Sequence, residues 1–286
     1  MKKLETTFSP RFVPNYQSII YHYCNDYVLK SICENQEIWL SDICAMNDNS
    51  EFEWGRELFI TVMKENKNEF DQLFRFFIIS KVMSAVPDTL PLIGCFSKNG
   101  DLLSQWRAYA EDGKGFSIGF DSNQIYHGLG VNINSVVYEE EVQYRLILNT
   151  LRGLHAMWKL SNKNYDEIQI PSQIFSIDLA YLKNPTFFEE QEIRIIRLLV
   201  KHEANFVDVG GNSESKDVYP LKVLRRERNG SDVMYIKLPL KIKSKHIIKE
   251  IIIGPKNENS IMQMEDIIQQ LGLEGVSVKK SKSTYR

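Results

Sequence analysis

Three ionisable side chains at alternate positions, Glu190, Glu192 and Arg194, interrupt the apolar run PTFFEEQEIRIIRLLV at residues 185–200. In an extended chain, successive side chains point to opposite faces, so the three would share one face with Phe188, Ile196 and Leu198. A carboxylate on a partly apolar face needs a partner, or it takes up a proton. Arg194 can hold one carboxylate ionised and oriented, leaving the other for a ligand. β-Branched Ile193, Ile195, Ile196 and Val200 favour the strand. Pro185 and the i, i+4 spacing of Glu190 and Arg194 would also suit a helix. The trio is thus either one wall of a functional site or a structural ion-pair ladder.

Two other stretches carry polar groups of chemical interest. In YHYC, His22 stands between Tyr21 and Tyr23 on an apolar strand, where a lone histidine usually serves as a core or rim residue. EIWLSD follows with Ser41, and a strand–helix–strand path can set His22 and Ser41 side by side. In CFSKNGDLLSQWRAYAEDGKGFSIGF, Trp106 and Tyr109 fall on one helix face. Trp106 reads as core, while Tyr109 and Arg107 near the helix end can border a ligand. The GxGF of this stretch precedes a strand and is no dinucleotide fingerprint. Nucleophile-elbow, Walker A, HExxH and EF-hand patterns are absent. The basic clusters at 225–228 and 241–249 read as solvated faces, with nucleic-acid contact as the alternative.

Those residues need a frame. Strands are predicted at 18–24, 37–42, 92–98, 114–121, 131–142, 233–240 and 247–255, and one closes the chain. Helices are predicted after Asn25 or Asp26, over 101–110 with Asp101 as cap, over 144–160, and after a capping box of Ser260 and Gln263. Residues 52–85 have helical period, 45–51 have turn chemistry and 209–217 read as a flexible polar loop. Strands and helices intersperse without regular βαβ phasing. The fold class is therefore α+β with a mixed or mainly antiparallel sheet, as a single domain over 1–286 with a helical insert at about 52–90.

With 286 residues, 43% of them hydrophobic and 25% charged, the chain can bury a large core, and its net charge of −2 advertises neither nucleic acid nor an anionic membrane. No apolar leader or long uncharged run is present, so a soluble, cytoplasmic protein without a membrane partner is expected. Cys24, Cys33, Cys44 and Cys95 form no CxxC pair and are expected as reduced packing residues, with no metal site.

Taken in order, YHY, IWLSDICAMND with Glu51, CFS…QWRAY…GKGFSIGF, FxEExExR, IIIGP and a terminal S…YR resemble a widespread bacterial domain family of unknown function, from about Tyr21 to Arg286. Thr284 stands where that pattern often has proline. More loosely, the layout is similar to the ADP-ribosyltransferase superfamily, including DarT-like toxins that modify nucleic acids. That resemblance implies an ADP-ribosyltransferase-like core with NAD as substrate. Glu192 and Glu190 would be catalytic; His22, Tyr23, Ser41, Tyr109 and Arg194 would bind NAD. It also implies a toxin or phage-defence effector, with DNA or RNA as acceptor and an antitoxin or defence-system partner. A fixed carboxylate near the ribose would favour the positive charge that grows there as nicotinamide leaves. On this reading Glu192→Gln abolishes NAD cleavage and leaves the melting temperature within a few degrees. Two rivals stand beside it: a nuclease with Asp48, Glu51, Glu190 and Glu192 as metal ligands, and a non-enzymatic sensor or binding module.

Overall fold

The site is positioned by a fork in a sheet. The computed structural model describes residues 18–43, 50–84, 89–129, 131–208, 220–228, 230–242 and 245–285. The lead-in before residue 18, Cys44, most of the 45–51 turn and the 209–217 loop lie outside them. In chain order come β1 (Ile19–Cys24), α1 (Asp26–Asn35), β2 (Glu37–Asp42), α2 (Ser50–Glu65), α3 (Gln72–Ser84) and β3 (Thr89–Ser97). Next are α4 (Leu103–Tyr109), β4 (Phe116–Asp121), α5 (Ser122–Gly128), β5 (Asn132–Ser135), α6 (Glu140–Leu160) and α7 (Asp166–Asp178). Then follow β6 (Glu192–His202), β7 (Asn205–Asp208), β8 (Leu224–Arg228), β9 (Ser231–Pro239), β10 (Lys241–Ile242) and β11 (Lys245–His246). β12 (Ile248–Ile253), α8 (Ile261–Gln270) and β13 (Ser277–Lys280) close the described fold.

The main sheet runs β13-β12-β4-β1-β3-β2-β9-β8, with β6 on β3 and with β5 and β7 on β6. Its pairs are antiparallel except β12 with β13, so the chain is α+β with a mainly antiparallel sheet. β6 pairs with β3 along Thr89–Ser97. β3 also pairs with β1 at Ser97, and with β2 at Leu92 and Ile93. β1 and β2 thus diverge beside Gly94, Cys95 and Phe96. Both run antiparallel to β3, hence parallel to each other, and parallel neighbours need a crossover. α1 supplies it: Asn25 caps it by accepting from the Val28 amide at 2.9 Å, and Leu29, Ile32 and Cys33 bury its inner face.

One core lies under the sheet, where Ile20, Leu40, Phe96, Ile118, Ile195 and Ile251 meet α1, α5 and α8. A second joins α2, α3, α6 and α7 around Phe59, Phe74, Leu151, Trp158 and Phe175. The helices expected at 52–85 are therefore half of a four-helix layer, held by the apolar stripes of α6 and α7. Cys24 and Cys33 are buried free thiols. No helix among the described residues is long and apolar enough to cross a membrane.

Three local expectations are corrected. The strand expected over 131–142 stops at Ser135, because Glu140 and Glu141 open α6, where carboxylates favour the positive helix end. Asp101 does not cap α4. Its carboxylate instead accepts from Trp106 Nε1 at 2.7 Å and from the Lys282 amide at 2.7 Å, tying the C-terminal segment to the turn. Finally, residues 185–190 are a 3₁₀ turn, not strand: Asn184 caps it, Pro185 starts it and Gln191 leaves it in a left-handed conformation at φ 47°.

Below the sheet, Arg197 and Asp208 form a two-pronged buried pair at 2.8 and 2.6 Å. Removing one partner strands the other charge in the core. Arg197→Met is expected to cost about 3–5 kcal/mol in denaturant unfolding, and Arg197→Met with Asp208→Leu to recover much of it. Asp232→Asn, which breaks an exposed pair with Arg225, should stay within about 1 kcal/mol.

Candidate functional site

A pocket of ≈ 480 Å³ passes through the fork, within the range of about 300–1,000 Å³ usual for ligand sites. Ile32 and Phe96 of the lower core line it, and so do Tyr109, Glu190 and Glu192 from above. His22, Tyr23 and Ser41 line it too, so the fork brings six of the seven predicted site residues to one cavity. Arg194 is the exception. Its side chain is fully buried and supports Glu192 from behind rather than facing the cavity.

β6 begins at Glu192, which puts Glu192 and Arg194 on the same face two residues apart. Arg194 grips that carboxylate in a fork, Nε to Oε1 at 2.7 Å and Nη2 to Oε2 at 3.1 Å, and also donates to the Ala180 carbonyl. Lys183 donates to Glu190 Oε2 at 2.5 Å and to Glu192 Oε2 at 3.1 Å, with its ammonium 4.9 Å from the centre of the Phe187 ring. Burial alone would raise the Glu192 carboxyl. Arg194 and then Lys183 overcome that, and a Cys95 thiol hydrogen bond helps hold it at about 2. Glu192 is therefore an anion at neutral pH with little access to solvent.

Glu190 reaches the pocket by a different route from the one its spacing suggested. It ends the 3₁₀ turn, and its main-chain carbonyl accepts from Ser97 Oγ at 2.8 Å. Its side chain is somewhat more exposed than that of Glu192 and accepts from the Tyr109 hydroxyl at 3.2 Å. Burial, reinforced by Glu190, pushes the Tyr109 phenol above its ordinary range, so it stays a donor. Tyr109 is half-exposed, as an aromatic that covers a ligand would be.

His22 answers to the fork. Where β1 and β2 diverge, the Cys95 carbonyl meets the His22 ring at Nδ1, 3.1 Å away. A carbonyl accepts only, so Nδ1 carries the proton and Nε2 is the acceptor. Burial lowers the His22 pKa and outweighs the opposing Cys95 bond, so the net effect favours neutral imidazole. Ser41 Oγ accepts from Arg226 Nη2 at 3.0 Å, on the β2 side of the pocket.

Lys183 was not anticipated. Its trace in the sequence is a lone cation ending the apolar Leu179–Leu182 run just before Asn184 and Pro185. Its backbone is fixed from the helical layer: Gln143 of α6 donates to the Lys183 and Val137 carbonyls at 2.8 and 2.7 Å and accepts from Trp54 of α2. Arg226 was passed over inside a cluster read as a solvated face. For the metal-nuclease reading, Asp48 lies outside the described residues and the Glu51 side chain is not described. Lys183 already occupies the place between Glu190 and Glu192 that a cation would take.

Because Glu192 titrates near 2 rather than at its ordinary 4.5, its pairing stabilises the fold fully above about pH 4.5. That contribution is lost as pH falls toward about 2. Lys183→Met removes one of the two cations holding the carboxyl down. The variant should unfold at a higher pH in an acid titration followed by circular dichroism, and lose about 3 kcal/mol at neutral pH. An unchanged acid midpoint would remove Lys183 from the network.

No curated protein and no solved structure matches the chain. Residues 105–195 do match a family described as Protein of unknown function (DUF2971). That segment runs from α4 to the first residues of β6 and includes Tyr109, Lys183, Glu190, Glu192 and Arg194. The resemblance to ADP-ribosyltransferases is not shown by these matches. What they do show is that the acidic centre lies in a segment similar to an uncharacterised family, that of the proteins of unknown function DUF2971.

Proposed function

We propose that the protein is an ADP-ribosyltransferase-like enzyme that takes NAD as substrate, cleaves its nicotinamide glycosidic bond and transfers the remainder to an acceptor. One observation carries this reading: Glu190 and the ionised Glu192, joined by Lys183 with Arg194 behind Glu192, share a pocket with a neutral histidine and a half-exposed tyrosine. A nucleotide fits what these groups offer. Tyr109 and Phe187 give aromatic surface, His22 Nε2 accepts from a ribose hydroxyl, and an arginine stands beside Ser41.

Breaking the glycosidic bond of NAD places positive charge on the ribose, and the residues here are suited to meet it. Glu192 is a fixed negative charge that needs no reorganisation, since Arg194 and Lys183 already hold its orientation. Glu190, nearer to solvent, is placed to hydrogen-bond a ribose hydroxyl and to take a proton from the attacking group. Tyr109, kept protonated, orients Glu190 and covers the leaving ring. Within this reading the acceptor is a nucleic acid and the biological setting is a toxin or phage-defence effector with an antitoxin or defence-system partner.

The test is incubation of the purified protein with NAD, with and without DNA or RNA, read by mass spectrometry for free nicotinamide and modified acceptor. Glu190→Gln and Glu192→Gln, normalised to folded protein, should each slow nicotinamide release by about 10²–10³-fold. Glu192→Gln will not leave the melting temperature unchanged as the sequence suggested, because it strands Arg194 and Lys183 beside a neutral amide. Wild-type turnover in the folded Glu190→Gln and Glu192→Gln proteins would reject the reading.

A further inference from the structure

The pocket has a second charged end, where the Nε of Arg226 is unpartnered. Arg226 and Arg228 are two residues apart on β8, on the face that β9 shares, and both line the cavity. Arg226 lies 5.0 Å from the centre of the Trp39 ring and 5.4 Å from that of Tyr235, rings that stack on each other at 4.6 Å. Its plane is fixed by these rings and by the bond from Nη2 to Ser41 Oγ. Yet its Nε is buried with no hydrogen-bond partner, and no salt bridge joins it to a carboxylate among the described residues. The nearby acid Glu37 is taken by Lys237 at 2.7 Å. Burial and the like charge of Arg228 both disfavour the Arg226 cation. A protein holds a guanidinium this way at a cost that an incoming anion removes.

We propose that Arg226, held in place by Trp39, Tyr235 and Ser41, binds the diphosphate of a nucleotide at the β2 side of the pocket. The inference rests on the nucleotide reading above and specifies where the phosphates go. Ser41 and the Arg226 guanidinium stand over β2, and β2 is separated from β6 by β3 alone. Two strand spacings across the sheet (~10 Å) and the four residues of β3 from Ile93, opposite Ser41, to Ser97, opposite Glu192 (~13 Å), put the two ends ~16 Å apart, a span that the Arg226 and glutamate side chains cover together with a diphosphate and its sugar. A cavity of ≈ 480 Å³ is the size of a small-ligand site and favours a nucleotide over a nucleic-acid backbone tracked along a groove.

Calorimetric titration of the full chain with ADP-ribose, ADP, inorganic pyrophosphate and a single-stranded DNA oligonucleotide tests this. ADP-ribose and ADP should bind; Arg226→Gln should weaken both by about tenfold or more, and Arg226→Lys by less, since the charge remains without the fork. Melting curves of both variants establish that they are folded. Equal ADP affinity in wild type and folded Arg226→Gln overturns the assignment. So does an Arg226 effect confined to the oligonucleotide, or a wild type that binds neither ADP nor pyrophosphate. If ADP binds through Arg226 while NAD is never cleaved, the phosphate site stands and the catalytic reading falls. If NAD is cleaved with the same KM in Arg226→Gln, the catalytic reading stands and the phosphate site falls.

Discussion

Glu192 is a buried anion, and the rest of the site depends on how that is made tolerable. Two cations converge on it from different parts of the chain: Arg194 from its own strand and Lys183 from the turn that follows α7. Lys183 also reaches Glu190, so two carboxylates and two cations close into one balanced group at the pocket wall. Such a cluster adds little net stability compared with apolar packing, because desolvation offsets most of the attraction. What it provides is a charge of fixed position and fixed ionisation in a place water reaches poorly. That is the property a site needs if positive charge is to develop beside it.

The sheet supplies the opening. A strand flanked along its whole length on both sides leaves no room for a ligand, and β3 is flanked so only by β6. On its other edge β1 and β2 each take part of the length and separate between. Gly94 sits at this point, and a methyl group there would come within 2.6 Å of the end of the Leu40 side chain, which would have to shift to admit it. The helical layer contributes at a distance: Trp54 and Gln143 hold the main chain of Lys183, which makes α2 and α6 part of the site's support.

Much of this frame was legible because its signals are local. The Asn25 cap, the Ser260 and Gln263 capping box, and the alternation of EIWLSD and FSIGFD each act within a few residues, and those elements form as expected. α7 was hidden because Pro171 lies inside it, a residue that argues against a helix when read alone. The gathering of His22, Ser41, Tyr109, Glu190 and Glu192 at one pocket was expected from the resemblance to ADP-ribosyltransferases, since their types alone left a structural reading equally open. The path of Glu190 was not, because Asn184 and Pro185 set a 3₁₀ turn where alternation suggested strand. Lys183 left only the trace of a lone cation, and Arg226 none. Lys183 meets Glu190 and Glu192 seven and nine residues on, across the 3₁₀ turn, and Arg226 meets Ser41 185 residues away, separations that no helix or strand period records.

The most direct measurement is a crystal structure of the chain with an NAD analogue whose glycosidic bond cannot be cleaved. The account places the nicotinamide ribose against Glu190 and Glu192, the ring under Tyr109 and the phosphates on Arg226. An analogue bound elsewhere on the surface, or one lying in the fork with its sugar turned away from both carboxylates, would contradict it.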